Sequence, residues 1–134
     1  MVLVDTSVWI HVLRDKTGQT VESFRKYVSK EDIVFCRFTQ LELLQGAKDD
    51  REWQLLDGYL STQYYLEASD DTWRYAAKIF FDLRRNGVTI SSPIDCCIAQ
   101  LAIETQTELL HCDQDFERIA SIRPLSAIRF NMIY

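Results

Sequence analysis

Proline and glycine are scarce in this chain, 2 and 4 of 134 residues. That scarcity excludes a collagen-like or low-complexity sequence, and no Gly-, Pro- or Ser-rich linker divides the chain. With no linker and no internal repeat, this length predicts one domain over residues 1–134. No apolar run approaches the roughly 20 residues of a membrane span. Residues 1–8 lack a basic start and carry Asp5, so they do not read as a secretory signal, and a cytoplasmic location is expected. Histidine is limited to His11 and His111, which share no metal-ligand spacing. The 4 cysteines, Cys36, Cys96, Cys97 and Cys112, form no CxxC pair, which argues against a disulfide framework and for reduced, buried thiols. An excess of positive charge is also missing. Acids outnumber bases 20 to 15, for a formal charge of -5. A nucleic-acid binder that relies on overall basicity is disfavoured, whereas local basic patches beside an acidic pocket stay open.

What is present is core material: 47% hydrophobic and 12% aromatic residues. Residues 1–4 form an apolar run too short for a helix and suited to a strand buried on both faces. Asp5, Thr6 and Ser7 favour a helix start, and Val8, Trp9, Val12 and Leu13 continue it. Further helices are predicted over 21–28, around Phe38, Leu41 and Leu44, over 53–60 and over 72–85. Trp73, Ala76, Ala77, Phe80 and Leu83 make an apolar stripe on the last of these, which Asp70 and Asp71 start and Asn86-Gly87 ends. Strands are predicted at 33–36, 63–66, 88–90, 108–112 and 127–133, with helices opening at Ser92-Pro93 and over 113–121. Strands alternating with helices imply a three-layer α/β/α domain around a central, mostly parallel sheet.

The acids carry the functional signal. Asp5 directly follows the first strand, Asp113 follows the strand that ends near Cys112, and Asp95 opens the helix after Ser92-Pro93. Where strands of an open parallel sheet lead into helices, their ends share one edge, and ligands bind there. Glu42, on the helix after the second strand, is a fourth candidate. Like charges about 4 Å apart repel by roughly 4 kcal/mol at an effective dielectric of 20. Such a cluster therefore needs protons or a divalent cation, and an all-oxygen site suits Mg²⁺ or Mn²⁺ over zinc. Each acid also has a plainer reading: Asp5 and Asp113 as helix caps, Ser92-x-x-Asp95 as a capping box, and Glu42 as a solvated helix acid.

The segments Val4-Asp5-Thr6-Ser7-Val8, Phe38-Thr39-Gln40-Leu41-Glu42-Leu43, Pro93-Ile94-Asp95-Cys96-Cys97-Ile98-Ala99 and Leu110-His111-Cys112-Asp113-Gln114-Asp115-Phe116 occur in that order. Together they resemble the PIN-domain ribonucleases, most closely the VapC toxins of bacterial and archaeal toxin–antitoxin pairs. The resemblance covers nearly the whole chain. It implies that Asp5, Glu42, Asp95 and Asp113 are the catalytic, metal-holding acids, with Asp115 as a secondary, water-mediated ligand. Thr6 or Ser7 matches the hydroxyl residue that bonds an acid or the substrate, unless it only caps the helix.

What the resemblance further implies is Mg²⁺- or Mn²⁺-dependent endonucleolytic cleavage of RNA, such as tRNA or rRNA, leaving a 5′-phosphate and a 3′-hydroxyl. It implies a homodimer and a VapB-like antitoxin partner, assembled as a heterotetramer or larger, that alone contacts promoter DNA. Arg14, Lys16, Arg37, Arg84, Arg85 and Arg118 are candidate phosphate contacts, and Trp9, Val12, Leu13 and Phe24 candidate partner-groove residues, with Trp9 and Phe24 equally suited to the core. Alternatives are a PIN-domain RNA-processing nuclease that is not a toxin, and a non-catalytic RNA- or protein-binding module of the same fold. The haloacid-dehalogenase group resembles the chain at the first strand, with Asp5 as nucleophile, but requires a second acid where Ser7 stands.

Overall fold

Val-Leu-Val at 2–4 forms β1 (Val2–Val4), the middle strand of a five-stranded sheet in a computed structural model that describes residues 1–29 and 31–130. The other strands are β2 (Ile33–Cys36), β3 (Tyr65–Leu66), β4 (Glu108–His111) and β5 (Ala127–Arg129). Their order is β3-β2-β1-β4-β5 and every pairing is parallel. Between them run α1 (Thr6–Leu13), α2 (Gln19–Val28), α3 (Arg37–Gln45), α4 (Asp50–Leu60), α5 (Asp70–Arg85), α6 (Pro93–Glu104) and α7 (Gln114–Ala120).

Strand periodicity divides the core. Side chains alternate between faces along a strand. Leu3, Val34, Cys36 and Leu109 accordingly point to one face, where α5, α6 and α7 cover them with Ala76, Ile79, Leu83, Ile98, Leu101, Phe116 and Ile119. Val2, Val4, Phe35 and Leu110 point to the other, under Val8, Trp9, Phe24, Leu43 and Leu60. Because helices bury both faces, the central strands are continuously apolar, as a parallel sheet requires. The second face is aromatic: Trp9 stacks on Phe35 at 5.3 Å and meets Phe24 edge-on at 5.2 Å. Each fully buried large side chain contributes about 1.5–3 kcal/mol by leaving water. Trp9 and Phe24 are thus core residues, whereas Leu13 is exposed.

Several segments fold otherwise than their sequence predicts. Residues 88–90 are not a strand. Gly87, at φ 78°, and Val88 donate their N–H groups to the carbonyls of Arg84 and Leu83, which closes α5 in a Schellman cap. The Val88 amide is therefore bound to a helix, and Ile90 is buried as a plug in the core. Asp70 and Asp71 occupy the first turn of α5, but the cap is Ser69, in a capping box with Thr72. Trp73 lies on the rim of the stripe, 57% exposed and edge-on to Phe38. The strand expected over 127–133 is β5; its part beyond residue 130 lies outside the described residues. The cysteines are free, and Cys112 is only half-buried. Among the described residues no helix is long and apolar enough to cross a membrane.

Candidate metal centre

Parallel pairing brings the acids together. β1 and β4 are neighbours with Val4 opposite Leu110, and the Asp5 N–H donates to the Leu110 carbonyl at 2.9 Å. Asp5 and Asp113 therefore leave the same end of adjacent strands. Each caps the helix that follows: Asp5 accepts from the Ser7 N–H at 3.0 Å, and Asp113 from the Asp115 N–H at 2.9 Å. Capping and a place in the cluster are thus compatible, since helix N-termini favour anions.

Thr6 and Ser7 divide their work. The Thr6 hydroxyl donates to Glu42 Oε1 at 2.9 Å, drawing the α3 acid towards α1. The Ser7 hydroxyl donates to Asp5 Oδ2 at 2.6 Å and accepts from the Cys112 N–H at 2.9 Å, linking α1 to the end of β4. Neither side chain is the helix cap; Asp5 is. Glu42 is therefore engaged with the neighbouring helix, unlike a freely solvated helix acid.

Asp95 stands in the first turn of α6. The capping box read from Ser92-x-x-Asp95 is not formed: the Ser92 hydroxyl accepts from Ile94 N–H, and the Asp95 N–H donates to the Ser92 carbonyl. The Asp95 carboxyl is instead buried in the cluster, where one oxygen each of Asp95, Asp113 and Asp115 lies within 4.8 Å of the others. Asp5 and Glu42 fall outside that span, yet the cluster feels their charge. Burial, then the charges of Asp5 and Asp113, push Asp95 up to about 8. Burial also raises Asp5 against the opposing Ser7 bonds, and raises Glu42 against its bond from Thr6. Asp115 moves the other way. Burial opposes its ionisation, but donors from Ser91, Asp95 and Arg118 outweigh it and hold the carboxyl below its ordinary range.

Two supporting residues carry no sequence signal. Ser91 sits in the segment between α5 and α6 and bonds Asp115 through both its N–H and its hydroxyl. His111 ends β4, and its Nδ1 accepts from the Asp113 N–H at 3.2 Å. Burial lowers its pKa, so the ring stays neutral and orients the Asp113 backbone. Of the candidate phosphate contacts, Arg118 is paired with Asp115, and Arg37 with Glu67 while lying over the Tyr65 ring.

Three carboxyls with oxygens within 4.8 Å of one another form a site that calls for positive charge. Donors that are all oxygen suit a hard divalent cation, so the residues present fit Mg²⁺ or Mn²⁺. Asp95, Asp113 and Asp115 bring oxygens close enough to share an ion, and Asp5 and Glu42 interact with this group through their charges.

Comparison with known proteins agrees with this architecture. The PIN domain family matches residues 2–122. Ribonuclease VapC11 of Mycobacterium tuberculosis is 35% identical over 133 residues, covering 97% of this chain and 99% of that protein. Among solved structures, VapBC-1 from nontypeable Haemophilus influenzae superposes with a TM-score of 0.78 at 19% identity, covering 96% of this chain and 98% of the matched one. DNA-bound VapBC from Salmonella typhimurium gives 0.73 at 25% identity, covering 96% of both. An acid-lined sheet edge and a relative matched along nearly its full length lead to one assignment: the chain belongs to the PIN-domain family, in its VapC branch.

Proposed function

We propose that this chain is a divalent-metal-dependent endoribonuclease, the toxin of a type II toxin–antitoxin pair, and that residues 1–134 act as one domain. The observation that carries the reading is the Asp95–Asp113–Asp115 group, with ligand oxygens within 4.8 Å, at the end of the central strands of a VapC-branch fold. Asp95, Asp113, Asp115, Asp5 and Glu42 would hold Mg²⁺ or Mn²⁺. When bound, such an ion acidifies a water and stabilises charge on the phosphate.

The chain's own residues supply the rest. Water oxygen bonds to phosphorus as the bond to the 3′ oxygen breaks, giving a 5′-phosphate and, once that oxygen takes a proton, a 3′-hydroxyl. Asp95 or Asp113 accepts the water's proton. Thr6 and Ser7 fix Glu42 and Asp5, so the acids need not reorganise during the reaction. His111, kept neutral, holds the start of α7 and with it Asp113.

The partners follow the same reading. The chain forms a homodimer and binds a VapB-like antitoxin in a heterotetramer or larger assembly in the cytoplasm, with promoter DNA held by the antitoxin. The VapBC assemblies of Haemophilus and Salmonella, the latter bound to DNA, support this. The test is cleavage of tRNA and rRNA by the free protein with Mg²⁺ or Mn²⁺. Asp95→Asn and Asp5→Asn are expected to remove cleavage while circular dichroism stays native. Undiminished cleavage by folded variants, or none by the wild type with either ion, overturns the reading.

A further inference from the structure

The helices that carry the acids begin in two different ways. α1, α3 and α7 follow β1, β2 and β4, so the sheet fixes their starts. α6 follows a loop, and the position of Asp95 relative to Asp113 has no strand pairing to set it. Ser91, four residues before Asp95, spans that gap. Its N–H and hydroxyl both donate to Asp115 Oδ2, at 3.0 and 2.7 Å. Arg118 Nη1 donates to Oδ1 at 2.9 Å, and the Asp115 N–H donates on to Asp113 Oδ1 at 2.9 Å. A continuous run of bonds thus joins the approach to α6 with the first turn of α7.

We propose that Ser91 is a positioning residue for the metal centre: by gripping Asp115 with two donors on one oxygen, it holds Asp95 and Asp113 close enough to share a cation. This rests on the reading of the acids as a divalent-metal site. A carboxylate oxygen accepts about two hydrogen bonds. Oδ2 of Asp115 is therefore filled by Ser91, and Oδ1, which already takes one bond from Arg118, keeps a single further lone pair to face an ion. Asp115 is in this way the hinge pin between two helices more than a free ligand. Ser91 acts through it, so its removal weakens the hold on the cation and leaves the chemical step intact. The backbone N–H of Ser91 survives any substitution, whereas the hydroxyl does not, and threonine keeps the hydroxyl.

The experiment titrates the metal-free full chain with Mn²⁺ alone, by calorimetry and by water-proton relaxation, for wild type, Ser91→Ala, Ser91→Thr and Asp95→Asn. Loss of a hydrogen-bond partner behind a ligand typically costs 10–100-fold in metal affinity, so Ser91→Ala is expected to bind Mn²⁺ about 10-fold more weakly, with Ser91→Thr close to wild type. RNA cleavage by Ser91→Ala is expected to recover at raised Mn²⁺, so that the metal's apparent KM moves and kcat does not. If Ser91→Ala binds Mn²⁺ as wild type does while Asp95→Asn fails to bind, the positioning role is overturned and the metal centre stands. A loss in Ser91→Ala that neither Ser91→Thr nor excess Mn²⁺ recovers overturns it too, since that is the mark of a purely structural residue. No Mn²⁺ binding by the wild type overturns the metal centre, and the role of Ser91 with it.

Discussion

The acids on the two sides of the sheet edge are restrained by different means. Asp5 and Glu42 each rest on a hydroxyl from the same turn of α1, and Ser7 ties that turn to the end of β4. Asp113 caps the helix whose first turn carries Asp115, and the Asp115 carboxylate takes donors from Ser91 and Arg118. Asp95 shares a side-chain bond with Asp115; burial, then the charges of Asp5 and Asp113, push Asp95 up to about 8, while donors from Ser91, Asp95 and Arg118 hold Asp115 down. Burial thus disfavours the charge on Asp5, Glu42 and Asp95 alike, and at Asp95 the charges of Asp5 and Asp113 add to it. A site built this way holds several carboxyls whose ionised forms are disfavoured, and a bound cation compensates them together.

The sharpest way to break this contrast is Asp95→Asn. Since residues one step behind a metal already cost 10–100-fold, loss of this acid is expected to lower RNA cleavage by at least about 100-fold. The same substitution is expected to raise the melting temperature of the metal-free protein at pH 8, because it removes a carboxyl whose ionised form burial and the neighbouring acids disfavour. Activity and stability moving in opposite directions, read by cleavage assay and thermal melt, would confirm that this disfavoured charge is functional. A fall in both would show that it is not.

The hydroxyl side gives the next largest effects. Ser7→Ala removes a donor to Asp5 and the acceptor of the Cys112 N–H, and is expected to cost about 1–3 kcal/mol in denaturant unfolding. Thr6→Val deprives Glu42 alone of its donor and is expected to lower cleavage about 10-fold with a smaller loss of stability. If Thr6→Val proves as destabilising as Ser7→Ala, the two hydroxyls do not divide their work as the bonds imply.

Titration refines the other side. Asp95 has a folded pKa near 8 against an ordinary value of 3.8, so between those values the folded protein holds a proton that the unfolded chain has released. Stability of the metal-free protein is therefore expected to fall as pH rises from about 4 to about 8 and to level off above. Asp95→Asn is expected to flatten that slope. Mn²⁺ affinity should rise over the same range, because binding displaces the proton, and calorimetry in buffers of different ionisation enthalpy reads the release. The smallest effect is expected for Arg37→Ala. Arg37 pairs with Glu67 on the surface, and its removal should shift stability by under about 1 kcal/mol with little change in cleavage.

Much of this was legible in the residues because local rules and the fold agree. Short apolar runs at 2–4 and 33–36 had no alternative to buried parallel strands, and an Asp set directly after a strand had to emerge at the sheet edge. Residues 88–90 have strand composition too, but Gly87 turns the chain and the Val88 amide closes a helix, a choice made by tertiary packing. Ser92-x-x-Asp95 has the spacing of a capping box, yet the acid serves the cluster instead, a competition that spacing cannot resolve. Ser91 was invisible for a related reason. Its two bonds reach 24 residues along the chain, and nothing near it in sequence needs them.

The Ser7–Cys112 bond joins positions 105 residues apart. Asp5 is made well before its neighbours Cys112 and Asp113, and the geometry that unites them depends on β4 docking beside β1. Until β4 has emerged and docked beside β1, a nascent chain carries no assembled acid cluster.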